Sequence, residues 1–184
     1  MPDKPDRRVA RTRAALLQAF VSLLLEPRRY DRIRVGDIVE RANVGRSTFY
    51  EHFRNKDEIL AESIRVPFAP FARSVDAGAS VASLLPALEH FWQNRSQTRS
   101  IFGGQRRKVV RILADMLQSQ MNERAGKQTP NAALKIRLGA MALAEAQVGM
   151  LAAWMIGEVT SGKGAIAEVL YGMAQASAAL VCTR

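Results

Sequence analysis

The chain has 184 residues, 48% hydrophobic and 24% charged, enough for one good-sized core or for a small module beside a larger one. Its formal net charge of +10 favours a polyanionic partner, nucleic acid or an anionic membrane surface. The one cysteine, Cys182, excludes an internal disulfide and a thiolate metal cluster and fits a reducing cytoplasm. The opening MPDKPDRRVARTR has no secretory apolar stretch, and no uninterrupted apolar run approaches the ~18 residues of a membrane span, so a cytoplasmic chain with no membrane partner is expected.

Nearly every segment has helical periodicity, and the alternating Val/Ile/Thr runs of strands are missing, which predicts an all-α fold. Asp6 can cap a first helix over about 7–26, stopped by Pro27, with Val9, Leu16, Phe20, Leu23 and Leu24 on its inner face. A short helix over 35–42, the turn Asn43-Val44-Gly45 and a second short helix over 46–53 follow. Asn55 and Glu58 form an N-x-x-E capping pattern that opens a fourth helix, which Pro67 and Pro70 should break or kink. A linker over 74–80 then suggests a smaller N-terminal domain at 1–67 and a larger helical domain at 68–184. That second domain holds four predicted helices, at 81–96, 105–125, 131–158 and 163–182, with 99–104 as a loop or single turn ending at Gly103-Gly104.

Two short helices joined by a three-residue turn make a helix-turn-helix, here over about 34–53. Ile38, Val39 and Ala42 give its first helix an inner face, Val44 plugs the corner, and Phe49 and Phe53 face inward from the second. Asn43 tolerates the left-handed backbone such a turn needs, and Gly45 serves as N-cap. Left on the outer face are Arg46, Ser47 and Tyr50, with Thr48 and His52 at one edge, a set of donors suited to base edges and phosphates. Residues 1–56 carry 13 Lys/Arg against 7 Asp/Glu, net +6, and residues 57–184 carry 14 against 10, net +4. Arg7, Arg8, Arg11 and Arg13 form a basic arm and first turn suited to the DNA backbone or minor groove.

Over Tyr30–Leu60, YDRIRVGDIVERANVGRSTFYEHFRNKDEIL, the chain resembles the TetR family of bacterial regulators. Ile38-Val39 and Ala42-Asn43-Val44 stand in register with Thr48-Phe49-Tyr50, His52-Phe53 and Asn55-Lys56-Asp57 of that family's signature, so core, turn and surface positions agree together. The resemblance implies that Thr48, Tyr50, His52 and Lys56 contact phosphates of a double-stranded operator while Arg46, Ser47 and Tyr50 face its major groove. Arg34 stands where a Thr or Ser usually caps the motif's first helix, and is expected to contact phosphate instead. Gly36 replaces a longer side chain and contributes no base reading, which shifts specificity onto Arg46. For His52 a purely structural hydrogen bond is the competing role.

In the second domain Phe71, Phe91, Trp92, Met116, Met150 and Trp154 would each serve a plain core, and as a group they suit the lining of a small-molecule cavity. Small residues recur at helical spacing on the last two helices, Ala142, Ala146, Gly149 and Ala153, then Gly172, Ala176 and Ala179, which permits close helix packing. The resemblance implies a homodimer through these helices, and a repressor released when an unknown small-molecule effector shifts the fourth helix and the spacing of the two reading heads. Pro67 and Pro70 are candidate hinge elements in that scheme. The basic run Arg106-Arg107-Lys108 with Arg111 is read as a solvated helix face, and Cys182 as inert. His52 and His90 fall in different domains, and no metal-ligand pair, phosphate loop or nucleophile elbow occurs, so neither enzyme, metal nor cofactor is expected. Two alternatives stand beside the repressor: an activator or ligand-independent regulator of the same fold, and a basic helical protein that binds membrane surfaces.

Overall fold

A computed structural model describes residues 7–26, 29–126 and 129–182. The Asp6 cap, the Pro27 stop and Lys127-Gln128 of the loop before Pro130 lie outside these. Among the described residues there is no strand, and the fold is all-α. The helices are α1 (Arg7–Leu25), α2 (Val35–Ala42), α3 (Arg46–His52), α4 (Lys56–Arg73), α5 (Leu85–Gln93), α6 (Arg95–Ala125), α7 (Pro130–Ile156) and α8 (Lys163–Val181). Short 3-10 turns, Tyr30–Arg32 and Val81–Leu84, precede α2 and α5.

The chain divides into two compact units, Met1–Ser63 and Ile64–Arg184, with the division inside α4. In the first unit α1 contributes Leu16, Phe20, Leu23 and Leu24 to a core completed by Tyr30, Ile33, Ile38, Phe49, Phe53, Ile59 and Leu60. Val9, expected on the inner face, is half exposed, as is the rest of the opening of α1, where residues 7–11 are all exposed. Asn43 takes the left-handed conformation (φ 53°, ψ 50°) at the end of α2, and Gly45 in extended backbone starts α3. The opening of α4 is capped as its sequence suggests, the Glu58 amide donating to Asn55 Oδ1 at 3.0 Å.

In the second unit α4 runs on through Pro67 and Pro70 to Arg73, so neither proline ends the helix. Phe68, Phe71 and Ala72 on the same segment are buried, and that burial offsets the ~3 kcal/mol an interior proline costs. The stretch expected to be a free linker is held down: Gln175 on α8 donates to the carbonyls of Ser74 and Asp76, and Tyr171 to that of Ala79. Residues 99–104 are helical and belong to α6, which is interrupted one position later, at Gln105 (φ −126°, ψ 17°). Thr129 Oγ1 caps α7 by accepting from the Ala132 amide, with Pro130 at its first turn, and Gly157 closes the helix in left-handed backbone. Arg99 from α6 supplies donors to the Met155 carbonyl in the last turn of α7. By length and composition α7 and α8 are each apolar enough to cross a membrane, which uninterrupted runs alone did not suggest. That hydropathy comes from Leu, Ile, Val, Met and Ala, and both helices bury one face within the unit.

Candidate nucleic-acid interface

The first unit holds α3 rigidly and leaves its outer face open. Phe49 is fully buried beneath α3, with Phe53 5.8 Å away between ring centres, which fixes the helix's rotation. Tyr50 lies edge-on to Phe49 and stays 53% exposed. Arg46 and Ser47 are exposed on the same side, with Thr48 and His52 half-buried at its edge. Arg46 makes no side-chain hydrogen bond or ion pair with the described residues, so its guanidinium is available to a partner. Glu51 is also exposed on α3 and is the one acid of that helix.

Four sets of contacts brace the unit around this face. Arg13 reaches across from α1: it donates to both carboxylate oxygens of Glu62 and to the His52 carbonyl at 2.9 Å, and lies 4.4 Å from the centre of the Phe53 ring. It closes the C-terminal end of α3 and is not part of the basic arm expected from the sequence, whereas Arg7 and Arg11 are exposed. Lys56 donates to the carbonyls of Tyr30 (3.0 Å) and Ile33 (2.9 Å) and sits 4.1 Å over the Tyr30 ring. Its ammonium thus secures the turn leading into α2. Tyr30 donates to Asp57 at 2.5 Å, and burial, reinforced by that carboxylate, pushes its phenol far above the usual tyrosine range. Arg41 joins α2 to α1 through Ser22 and Glu26. Nothing local in the sequence marks the Arg13–Glu62 clamp, since its partners lie 49 residues apart.

The departures at the front of the motif also resolve. The Arg34 side chain does not cap α2; instead Asp37 reaches back to accept from the Arg34 amide at 2.8 Å, leaving the guanidinium exposed. Around Gly36 there is open space, so a side chain could stand there unhindered. The main-chain amide of Arg54 donates to Glu58, and that bond is the chief reason the Glu58 carboxyl lies below its ordinary range.

This geometry, a left-handed Asn turn between two short helices with a donor-rich outer face, coincides with the segment that matches the family model for "Bacterial regulatory proteins, tetR family" over residues 24–63. Residues 24–63 are thus a helix-turn-helix segment of the TetR type. The TetR-type segment is similar to the uncharacterized HTH-type transcriptional regulator YxbF of Bacillus subtilis (strain 168), 47% identical over 60 residues. That similarity covers 33% of this chain and 16% of the relative's length. A TetR transcriptional regulator from Streptococcus agalactiae 2603V shares the fold over 92% of this chain and 96% of its own, with a TM-score of 0.57 and 23% identity. The TetR family repressor AlkX from Dietzia sp. strain DQ12-45-1b does so over 91% and 97%, with a TM-score of 0.55 and 16% identity. Both place an N-terminal helix-turn-helix ahead of a helical second domain, as here.

The residues expected to line an effector cavity do not converge on one space. Phe71 and Phe91 are buried in a ring cluster with Phe68 and Phe102, with neighbouring centres 5.0–6.3 Å apart. Trp92 stacks on Trp154 at 4.8 Å and is 38% exposed, while the Trp154 indole donates to the Ser161 carbonyl. Met116 lies in a separate groove of about 220 Å³ with Arg65, Arg73 and Gln120, and Met150 is half-buried on α7. Sequence reasoning passed over Gln147. It is fully buried, its Nε2 reaches Ser74 Oγ at 3.5 Å, and its Oε1 has no hydrogen-bond partner among the described residues. Among the described residues no group of His, Cys, Asp or Glu is placed to hold a metal ion.

Proposed function

We propose that the protein is a cytoplasmic transcriptional repressor that binds a double-stranded operator as a homodimer. The observation that carries the reading is the outer face of α3, where an uncommitted Arg46, Ser47 and an exposed Tyr50 project from a helix locked by Phe49, Arg13 and Lys56. A recognition helix needs both properties, because only a fixed backbone turns donor positions into discrimination between bases. Thr48 and His52 at its edge, with the exposed Arg34 guanidinium, are suited to flanking phosphates. Gly45 serves this role through its backbone alone, by starting α3.

Dimerisation is supported by an apolar face left open on the last two helices. Leu134 and Leu138 are exposed on α7, and Val169, Gly172, Ala176 and Leu180 on α8, with Leu180 79% exposed. Release by a small-molecule effector is supported by the orphaned Gln147 acceptor, since an unpaired buried carbonyl oxygen costs about 1–3 kcal/mol and a ligand donor would recover it. The closed packing of the Phe68, Phe71, Phe91 and Phe102 rings favours a second reading, a regulator of the same fold that needs no ligand. Selection of bound duplexes from a random pool tests the central reading: it should return paired half-sites, and the absence of any enriched sequence would refute it. A thermal-stability screen over apolar and hydroxylated aromatic compounds separates the two regulators, since only the first gains stability from a compound.

A further inference from the structure

The basic run at the start of the second half of α6 forms one wall of a groove. Arg99 bonding to the Met155 carbonyl and Arg106 to Glu145 set α6 and α7 antiparallel in this region. Between them lies an open groove of about 560 Å³, within the size range of small-molecule sites. Its floor is Val110 and Ala114, both buried, with Met141 alongside; its rim carries Arg107, Arg111 and Arg137. Arg107 and Arg111 stand one turn apart on α6, and Arg137, Met141 and Glu145 share one face of α7.

The charges on this rim are unbalanced. Glu145 is already taken by Arg106 at 2.7 Å, which leaves Asp115 as the other acid. None of Arg107, Arg111 and Arg137 makes a hydrogen bond or ion pair with the described residues. Three guanidiniums facing one cleft repel one another unless an anion joins them, and each offers a planar fork of donors that matches an acid group. The apolar floor beside them has no such use for a bare inorganic ion.

We propose that this groove binds an amphiphilic organic anion, its carboxylate or phosphate held by Arg107, Arg111 and Arg137 and its apolar body laid on Val110, Ala114 and Met141. The site is independent of DNA binding and separate from Gln147 in the core.

Titration calorimetry on the full chain with decanoate, decyl phosphate, decanol and inorganic phosphate tests it. Decanoate or decyl phosphate should fill one site per chain, and the stronger of the two identifies the acid group. Decanol and inorganic phosphate, each lacking one half of the recognition, should bind about tenfold more weakly or worse. Arg111→Gln and Arg137→Gln should each weaken the amphiphile about tenfold, while Arg46→Ala leaves it unchanged. Arg111→Lys, which keeps the charge and loses the fork, should fall between, and melting curves confirm that each variant is folded. The proposal is overturned if neither amphiphile binds, if decanol matches decanoate, or if the Arg111→Gln/Arg137→Gln double variant binds as before. It is equally overturned if that double variant turns the protein monomeric in sedimentation, because the groove's occupant would then be a second copy of the chain.

Discussion

Arg46 and Lys56 are cations only ten positions apart, yet their surroundings assign them opposite work. Arg46 has no side-chain partner among the described residues and stands at the first position of α3, which in a recognition helix would project towards base edges. Its fork matches the O6 and N7 acceptors of guanine, a pair that discriminates by ~1–3 kcal/mol. Arg46→Ala should therefore weaken a selected operator far more than random duplex, with relaxed preference at one guanine per half-site in competition binding. Equal losses on both DNAs would make Arg46 a phosphate anchor. Lys56, by contrast, spends its ammonium on the Tyr30 and Ile33 carbonyls and on the Tyr30 ring. Lys56→Met leaves two carbonyls without that donor and should cost ~1–3 kcal/mol of stability in thermal melting. At temperatures where the variant is fully folded, its salt slope for DNA should match the parent's. A slope smaller by about 0.9 would instead show a lost phosphate contact, the role suggested by resemblance.

At the scale of elements, the helix-turn-helix carries its instructions within a few residues. Asn43 takes left-handed backbone where most residues pay ~1–2 kcal/mol, so Asn43→Val should destabilise by about that amount while Asn43→Gly is nearly neutral. Gly36, in open space inside α2, should tolerate Ala with a gain of up to about 1 kcal/mol, and urea midpoints read both variants. A loss on Gly36→Ala would mean that the open space is needed. These local signals are why the bounds of α2, the turn and the start of α3 could be read from sequence. Where the outcome depended on distant contacts, sequence reasoning failed. The prolines of α4 look like stops until Phe68, Phe71 and Ala72 are seen buried around them. Gly103-Gly104 looks like a helix end, yet α6 passes through the pair and is interrupted at Gln105. Arg13 reads as part of a basic arm because its partners, Glu62 and the His52 carbonyl, are brought to it only by folding. The aromatic and Met residues of the second unit are recognisable as apolar, but periodicity cannot tell a closed ring cluster from a cavity wall.

For the whole molecule the decisive question is what covers α7 and α8. A stripe at 165, 169, 172, 176 and 179–180 repeats at helical spacing on the open side of α8, and its residues are Ala, Val, Gly, Ala, Ala and Leu. Small side chains at such positions let a second helix approach closely, and burying the larger ones removes apolar area from water at about 25 cal/mol per Å². The α7 stripe is less open than its composition suggests, because the Arg106 guanidinium lies over Gly149, 3.7 Å from where a Cβ would stand. A charge at Gly149 would therefore disturb the Arg106–Glu145 pair as well as any interface, whereas nothing stands within 4 Å of a Cβ at Gly172. Gly172→Glu or Ala176→Glu would place like charges against each other across a two-fold contact, with little to disturb inside one chain. Either variant should shift the mass measured by light scattering from twice 20.3 kDa to 20.3 kDa while leaving the helical content intact. Operator binding should fall with it, because two heads reading half-sites about 34–36 Å apart lose the gain of simultaneous engagement. Random duplex, held by each head's phosphate contacts alone, should be affected much less. If both variants keep the dimer mass, α8 is not the interface and the exposed Leu134 and Leu138 of α7 become the face to alter next.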